Sequence, residues 1–194
     1  VWYADPSSNP DRIEFMLCIR NQAFNRKPGE EGDWCVRGLE DKDTYYYRGA
    51  FADAVRAVDF ICSLPQTDLT RVFANGESQG GALTLVAASL DHRIRAIAPS
   101  APFLSDYKDY FALAHWPAEP ILKAAKEKGI SDEDLYRTLS YFDVKNFTDR
   151  IQCPVIMAIG LQDVTCPPHT NFAGYNHIKT EKSWICYPES GHNV

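Results

Sequence analysis

Strand-like and helix-like patterns of apolar residues alternate along the chain. Five apolar runs predict buried strands, at residues 13–20, 71–75, 94–98, 154–160 and 183–187. Six segments with apolar residues at helical spacing predict helices, at residues 43–64, 79–90, 107–113, 120–128, 132–139 and 171–177. We expect Asp43 to cap the first of these helices. Because strands alternate with helices, the pattern predicts an α/β fold, with a mostly parallel sheet and helices on both faces.

The chain length is that of one domain. Its 194 residues contain no internal repeat and no low-complexity segment. We therefore expect a single domain over residues 1–194, with a helical excursion at about residues 104–150.

The overall charge and hydropathy indicate which kinds of binding partner the protein is not expected to have. The net charge is −6 and the pI is about 5.3, whereas proteins that bind nucleic acid usually carry a basic face. No apolar run approaches the ~20 residues that a membrane-spanning helix needs. We expect neither nucleic acid nor a membrane as partner. Val1 is not a natural start, and the absence of a visible signal peptide leaves the compartment open between cytoplasm and a periplasmic or secreted location.

The six cysteines do not follow a metal-binding pattern. None forms a C-x-x-C pair, which argues against a zinc ribbon or a thioredoxin-type site. Most lie in apolar runs, where we expect unpaired, buried thiols. A disulfide that involves Cys18, Cys35 or Cys62 remains open at this point.

Residues 76–81 (GESQGG) form the most informative motif of the chain. They follow one predicted strand and open the helix predicted at residues 79–90. A serine at such a turn is held out at the end of the sheet, and small neighbours let the backbone turn sharply. The helix N-terminus behind it directs N–H groups toward the serine oxygen. The motif predicts Ser78 as the nucleophile of a serine hydrolase with an α/β-hydrolase fold.

A serine nucleophile needs an imidazole as base and a carboxylate that orients the imidazole. In α/β-hydrolases the chain order is serine, acid, histidine. Asp163 follows the strongly apolar strand predicted at residues 154–160, at the edge where open α/β sheets present catalytic residues. Asp143 and Asp149 precede that strand and fit less well. Asp163 is therefore the predicted orienting acid.

Five histidines compete for the role of base. His192 lies in a loop just after the last predicted strand, where the base is expected. His92 and His115 precede the acid and break the order, and His169 is expected to begin the next helix. His192 is therefore the predicted general base, and His177 is the other downstream histidine.

An oxyanion formed at Ser78 needs two hydrogen-bond donors. The backbone N–H of Gln79 is predicted to supply one of them. No convincing second donor is visible in the sequence; Tyr3 lies near the start, but nothing in the pattern places it at the site.

The motifs together resemble carbohydrate esterase family 7, the acetyl xylan esterases and cephalosporin C deacetylases. The resemblance covers roughly residues 12–194. The segments that carry it are residues 41–48 (DKDTYYYR), 53–57 (DAVRA), 76–81 (GESQGG), 138–143 (TLSYFD), 160–168 (GLQDVTCPP), 171–176 (NFAGYN) and 187–192 (YPESGH). It implies the same nucleophile, acid and base, and no cofactor or metal.

The resemblance also implies features beyond the three site residues. Family members line a small acyl pocket with the region of Pro102 and Phe103, and they form ring-like oligomers, often hexamers. They carry a long stretch of chain before this point, an earlier strand at the centre of the sheet and a helix after the histidine. We therefore expect this chain to be an incomplete, C-terminal portion of the domain; a compact variant with a rearranged sheet is the alternative.

Two positions depart from the family pattern. The usual Arg-Gly-Gln motif reads as residues 20–22 (RNQ), so Asn21 replaces the glycine. Asn193 stands where the family usually has Glu after the histidine. We further expect Tyr45, Tyr46 and Tyr47 to pack in the core rather than to form a sugar platform, whereas Trp116 could contact substrate or a partner subunit.

The hypothesis favoured by the sequence is a serine esterase that removes O-acetyl groups from small substrates, such as xylo-oligosaccharides or cephalosporin-type esters. One alternative is another carboxylesterase or a peptidase on the same fold. A second alternative, of another class, is a non-catalytic binding module, for which the changes at Asn21 and Asn193 are the only support.

Overall fold

The computed structural model describes residues 2–3, 12–22 and 33–194. The strands in this part of the chain are β1 (Trp2–Tyr3), β2 (Met16–Leu17), β3 (Phe73–Glu77), β4 (Ala96–Ser100), β5 (Val155–Gly160) and β6 (Lys182–Tyr187). Its α-helices are α1 (Tyr46–Ser63), α2 (Gln79–Leu90), α3 (Tyr107–Leu113), α4 (Ala118–Glu127), α5 (Asp132–Ser140) and α6 (Pro168–His177). Strands β3 to β6 form a parallel sheet in chain order, as predicted, and β1 pairs with β2 in a separate antiparallel pair.

The strand predicted at residues 13–20 is corrected by the structure. Within this run, Met16–Leu17 forms a two-residue strand that pairs with β1 rather than with the parallel sheet. Ile13 and Met16 are more than half exposed, whereas Ile19 is buried in the core. The apolar run therefore anchors the segment at Ile19 and contributes no strand to the main sheet.

The first helix begins later than predicted. Asp43 lies in a turn and pairs with Lys42 at 2.8 Å, and the residue at the N-cap position is Tyr45, which makes no side-chain capping bond. The turn at residues 41–44 is closed by backbone hydrogen bonds to the carbonyl of Asp41. Asp43 is thus not the cap that we expected, because its side chain is engaged before the helix starts.

Helix α2 forms the centre of the layered structure. It is buried from residue 81 to residue 89 because its residues are small or apolar on every side. It packs against β3 and β4, and α1 packs against its outer side. This arrangement fixes the N-terminus of α2 at the carboxyl end of β3.

The two faces of the parallel sheet differ in burial. One face carries buried residues such as Ile97 and Met157. The strand register places Phe73, Ile156, Ile185 and Tyr187 on the opposite face, where they are 63%, 43%, 43% and 39% exposed. Parallel sheets are usually covered on both faces. The cover that we expected on this second face is not seen among the described residues.

The helical excursion lies between β4 and β5. It contains α3, α4 and α5, followed by short 3₁₀ turns at Val144–Asn146 and Thr148–Arg150. Ser131 is the N-cap of helix α5, and its side chain accepts a hydrogen bond from the N–H of Asp134. Among the helices that the structure describes, none combines the length and the apolar character that crossing a membrane requires.

Candidate active site

Ser78 lies at the turn between β3 and α2, in a backbone conformation that residues with a side chain rarely adopt. Its φ is 55° and its ψ is −116°, and strained backbone of this kind clusters at functional sites. The Ser78 N–H donates to the Ser100 carbonyl at 2.9 Å, and the Ser78 carbonyl accepts from the Phe103 N–H at 3.0 Å. The half-buried serine is therefore fixed at the carboxyl end of the sheet.

The glycines around Ser78 differ in their steric roles. A Cβ on Gly76 would lie 2.5 Å from the carbonyl oxygen of Gly80, and a Cβ on Gly81 would lie 2.8 Å from the Ser100 oxygen. Cβ atoms do not come this close to backbone atoms, so both positions require glycine. A Cβ on Gly80 would meet no atom within 4 Å. The sharp turn thus depends on Gly76 and Gly81, and not on Gly80.

Asp163 follows β5 and is held in a single orientation. It is 4% exposed, and its Oδ1 accepts hydrogen bonds from the N–H groups of Thr165 and Cys166, both at 2.8 Å. Its Oδ2 lies 2.9 Å from Nδ1 of His192. Because an ionised carboxylate only accepts hydrogen bonds, Nδ1 carries the proton and Nε2 is left as the acceptor. This is the tautomer that a general base needs.

The loops that carry Asp163 and His192 interlock. A Cβ on Gly160, at the end of β5, would lie 2.2 Å from the carbonyl oxygen of Gly191. The N–H of Gln162 donates to the Ser190 carbonyl at 2.9 Å, and its side-chain amide donates to the Pro188 carbonyl at 3.2 Å. The distance between the predicted acid and the predicted base is therefore set by backbone contacts between their loops.

Cys166 lies close both to Ser78 and to the pair of Asp163 and His192, and so links the three predicted site residues in one region. A carboxylate oxygen of Asp163, the Cys166 Sγ and a ring nitrogen of His192 lie within 4.8 Å of one another, and the Cys166 Sγ is 3.9 Å from the Ser78 Oγ. Within the described residues, the hydrogen bonds of the site do not include one between Ser78 and His192. Such bonds are often long or poorly aligned before substrate is bound.

Cys166 is a neighbour of Ser78 that the sequence analysis missed. Burial, reinforced by the negative charge of Asp163, raises the pKa of its thiol to about 12. The thiol is therefore neutral at physiological pH and is not itself a nucleophile. Its spacing from Asp163 was the available signal, since an aspartate often accepts hydrogen bonds from the backbone just after it.

Gln79 is the first residue of α2, so its backbone N–H has no acceptor within the helix. Its side-chain amide donates to the hydroxyl of Tyr47 at 3.0 Å, and the same hydroxyl accepts from the indole N–H of Trp34 at 3.2 Å. Tyr47 is buried, as predicted. Its contact with Gln79 was not predicted, because the two residues are 32 positions apart. The side chain of Tyr3 lies outside the described residues.

Pro102 and Phe103 pack directly beside the turn that carries Ser78. The Pro102 carbonyl accepts from the amide of Asn171 at 3.0 Å. The ring of Phe103 is buried and stacks on Trp116, with ring centroids 5.5 Å apart and an interplanar angle of 15°. Their place beside Ser78 is compatible with the wall of a small pocket, and their contact with substrate stays a prediction.

The alternative acids have other partners. The carboxylate of Asp143 accepts from the N–H groups of Asp106 and Tyr107, at 2.8 and 3.2 Å, and burial raises its pKa. Asp149 pairs with Lys179 at 3.7 Å on the surface. Both aspartates are thereby separated from the cluster around Ser78.

The remaining histidines are directed elsewhere as well. His92 is exposed. The contacts of the others are His115 with Glu119 at 3.0 Å, His169 with Asp109 at 2.7 Å, and His177 with the Lys145 carbonyl at 3.2 Å. His169 lies in the first turn of α6, as expected.

Among the residues that the structure describes, two groups of side chains have the composition of metal ligands. The first is the cluster of Asp163, Cys166 and His192, and the second joins Asp106, Asp109 and His169 at the surface. The hydrogen bond between Asp163 and His192 already accounts for the first group. The expectation that the reaction needs no metal or cofactor stays a prediction.

All six cysteines lie in the described residues, and no disulfide links any two of them. The disulfide that the sequence left open for Cys18, Cys35 or Cys62 is therefore not formed.

The departure at Asn21 is explained by backbone geometry. Asn21 has a φ of 59°, in the left-handed region that favours glycine and that asparagine tolerates better than most residues. The flanking residues are anchored to α1, since Arg20 pairs with Asp53 at 2.6 Å and Gln22 donates to the Tyr46 hydroxyl at 3.1 Å. Asparagine thus preserves the turn that the family glycine would form.

Comparison with known proteins places this geometry in a family. The acetyl esterase Axe7A of Xylanibacter ruminicola is 37% identical over 186 residues, which are 95% of this chain and 40% of that protein. The acetyl xylan esterase from Paenibacillus sp. R4 has a TM-score of 0.83 at 37% identity. Acetyl Xylan Esterase 1 from Thermoanaerobacterium sp. JW/SL YS485 has a TM-score of 0.81 at 34% identity.

Each of these two structures matches 91% of this chain, whereas the matched part is 59% of the solved chain. This chain therefore spans well under the full length of the relatives that it matches. The predicted α/β-hydrolase fold is confirmed by these structures. The family described as acetyl xylan esterase (AXE1) matches residues 19–194, and the chain belongs to that family.

Proposed function

We propose that the protein is a serine esterase that removes O-acetyl groups from small acetylated substrates through an acyl-enzyme. The observation that carries the proposal is the 2.9 Å hydrogen bond between Asp163 and His192, formed beside a serine in a strained strand-to-helix turn. In this proposal Ser78 is the nucleophile, His192 the general base and Asp163 the orienting acid.

The first half of the reaction forms the acyl-enzyme. The Ser78 oxygen attacks the ester carbonyl while Nε2 of His192 takes the hydroxyl proton. Asp163 keeps the proton of the imidazole on Nδ1 and stabilises the imidazolium that forms. The N–H of Gln79, at the N-terminus of α2, donates to the oxyanion of the tetrahedral intermediate. The intermediate collapses when His192 returns the proton to the leaving alcohol.

The second half of the reaction releases acetate. A water molecule gives its proton to Nε2 of His192 and attacks the acyl carbon. The same N–H of Gln79 stabilises the second oxyanion, and Ser78 recovers its proton from His192 as acetate leaves.

The buried wall beside Ser78 supports a short acyl group. Phe103 and Cys166 are both buried and lie close to the serine. The named relatives are acetyl esterases and acetyl xylan esterases, so acetylated xylo-oligosaccharides are the first substrates to test. Cephalosporin-type acetyl esters are the second class, and a ring-like homo-oligomer, such as a hexamer, is the proposed assembly.

The test is acetate release from p-nitrophenyl acetate and from acetylated xylo-oligosaccharides by the full-length protein. Ser78→Ala should abolish release and labelling by a fluorophosphonate probe. The matched control is Ser89→Ala, because Ser89 lies near the far end of α2, the helix that follows Ser78, and donates to the Leu85 carbonyl. Acetate release that survives Ser78→Ala would refute the mechanism. A preference for eight-carbon over two-carbon acyl chains would indicate another carboxylesterase, and light scattering would test the hexamer.

A further inference from the structure

Within the described residues, the side chain of Gln79 makes a hydrogen bond to the hydroxyl of Tyr47. Tyr47 is the second residue of α1 and is fully buried. Its oxygen accepts hydrogen bonds from the Gln79 amide at 3.0 Å and from the Trp34 indole at 3.2 Å. This hydroxyl therefore ties the start of α1 to the residue that follows the predicted nucleophile.

The turn at Ser78 is held from several sides. Its N–H donates to the Ser100 carbonyl, and its carbonyl accepts from the N–H groups of Phe103 and Ala82, both at 3.0 Å. Because this carbonyl and the Gln79 N–H belong to one planar peptide, these bonds set the general direction of the Gln79 N–H. A strained conformation persists only where its surroundings fix it. The side-chain bond to Tyr47 adds a constraint on Gln79 from the side of α1.

We propose that Tyr47 is a positioning residue for the oxyanion: its hydroxyl holds the Gln79 side chain, and thereby aims the Gln79 N–H at the reacting carbonyl oxygen. The proposal rests on the proposed function, because it needs an oxyanion at Ser78. It assigns no contact between Tyr47 and substrate.

The ring of Tyr47 is itself locked in place. Its centroid lies 5.3 Å from that of Tyr46, 5.7 Å from that of Tyr45 and 6.0 Å from that of Phe51. Because interiors are close-packed, the loss of one oxygen leaves the ring where it is and opens too little space for a substitute partner. The Gln79 amide would then be without its acceptor.

The group that accepts these bonds is a neutral phenol. Burial raises the pKa of the Tyr47 hydroxyl far above its usual value. The hydroxyl therefore keeps its proton over the whole range in which esterase activity is measured, and the positioning should not vary with pH.

The first test is Tyr47→Phe in the full-length protein. Complete loss of an oxyanion donor lowers turnover by ~100–1000-fold, so a donor that is displaced but present should lower kcat by ~10-fold. KM for p-nitrophenyl acetate should stay within about twofold, because ground-state binding is unchanged. The inhibition constant of phenylboronic acid, which forms a tetrahedral adduct with the serine, should rise by the same factor as kcat falls.

Tyr45→Phe is the matched control. Its hydroxyl is equally buried and donates to the Cys35 carbonyl at 3.1 Å, without contact to Gln79. This variant should keep both kcat and the boronic acid affinity. Equal effects of Tyr45→Phe and Tyr47→Phe would overturn the proposal, since they would report a loss of packing or stability alone.

Gln79→Met provides the second test, alone if Tyr47→Phe fails to fold and otherwise within a double-mutant cycle. Gln79→Met keeps the length of the side chain and removes the amide. If Tyr47 acts through Gln79, Gln79→Met alone lowers kcat as much as Tyr47→Phe, and the double variant is no slower than either. Additive effects, or an unchanged kcat in Gln79→Met, would overturn the proposal. A wild-type protein that neither releases acetate nor reacts with a fluorophosphonate would instead refute the proposed function.

Discussion

Asp163→Asn is the substitution that tests the candidate site most directly. The wild-type carboxylate places Oδ1 on two backbone N–H groups and Oδ2 on His192. An asparagine has one oxygen and one NH₂ group to place at the same two positions. The amide must therefore choose between the two backbone donors and the imidazole.

The structure indicates which orientation of the side-chain amide has the lower free energy in Asp163→Asn. If the amide NH₂ faced the backbone, the N–H groups of Thr165 and Cys166 would both lose their acceptor, at ~1–3 kcal/mol each. If it faces His192, only one contact changes. The NH₂ then donates to Nδ1, which moves the imidazole proton to Nε2 and prevents it from accepting the Ser78 proton. The equivalent tautomer change in a serine protease lowers kcat by about 10⁴-fold, or ~5 kcal/mol of activation free energy.

The assay is steady-state hydrolysis of p-nitrophenyl acetate, with thermal unfolding measured in parallel. We expect kcat of Asp163→Asn to fall by ~10³–10⁴-fold, with little change in the unfolding midpoint. Asp149→Asn is the control, because Asp149 is the exposed alternative acid that pairs with Lys179. A folded Asp163→Asn protein that retains more than about a tenth of the wild-type kcat would refute the tautomer argument.

Three further features of the structure are each tested by substitution or by chemical labelling. Gly81→Ala should lower kcat by ~100-fold, as expected for a displacement of about 1 Å at the site, because its Cβ would lie 2.8 Å from the Ser100 oxygen. Gly80→Ala is the control and should keep the wild-type kcat. Equal losses of kcat in the two variants would contradict the steric roles assigned to these glycines. Cys166 should resist iodoacetamide at pH 8 in the folded protein and react only as the pH approaches its raised pKa of about 12, since the thiolate is the reactive form. Peptide mass spectrometry compares the labelling of Cys166 in the folded and in the denatured protein. Equal labelling of the folded and denatured protein would contradict this prediction. Position 21 has a positive φ of 59°. In urea unfolding, Asn21→Gly should leave the free energy of unfolding nearly unchanged, whereas Asn21→Val should lower it by ~1–2 kcal/mol. Equal unfolding free energies for the two variants would contradict this account of the turn.

The fold was predictable where local pattern and tertiary packing agree. The helix over residues 79–90 begins and ends as predicted, because its small and apolar residues suit a buried helix and a glycine-rich turn opens it. The run at residues 13–20 was predicted wrongly. An apolar run of this length is equally compatible with a strand and with a segment that buries one side chain, Ile19, in the core.

The candidate site was predictable as far as its motifs are local. Asp163 and His192 each follow an apolar strand, and strands adjacent in a parallel sheet bring their carboxyl ends to one edge. Tyr47 could be assigned to the core but not to Gln79, since no local pattern reports a contact between residues 32 positions apart. The 3.9 Å approach of Cys166 to Ser78 likewise depends on how β3 and the loop after β5 meet in space.

The close approach of Gly160 to Gly191 limits how this site can be altered by recombination. The two loops leave neighbouring strands, and their backbones are too near to admit a methyl group between them. In a chimaera that takes one of these loops from another esterase, the new loop would lie against a partner loop whose backbone does not match it. We therefore expect an exchange that keeps the site intact to move the acid loop and the histidine loop together, as one unit over residues 160–192.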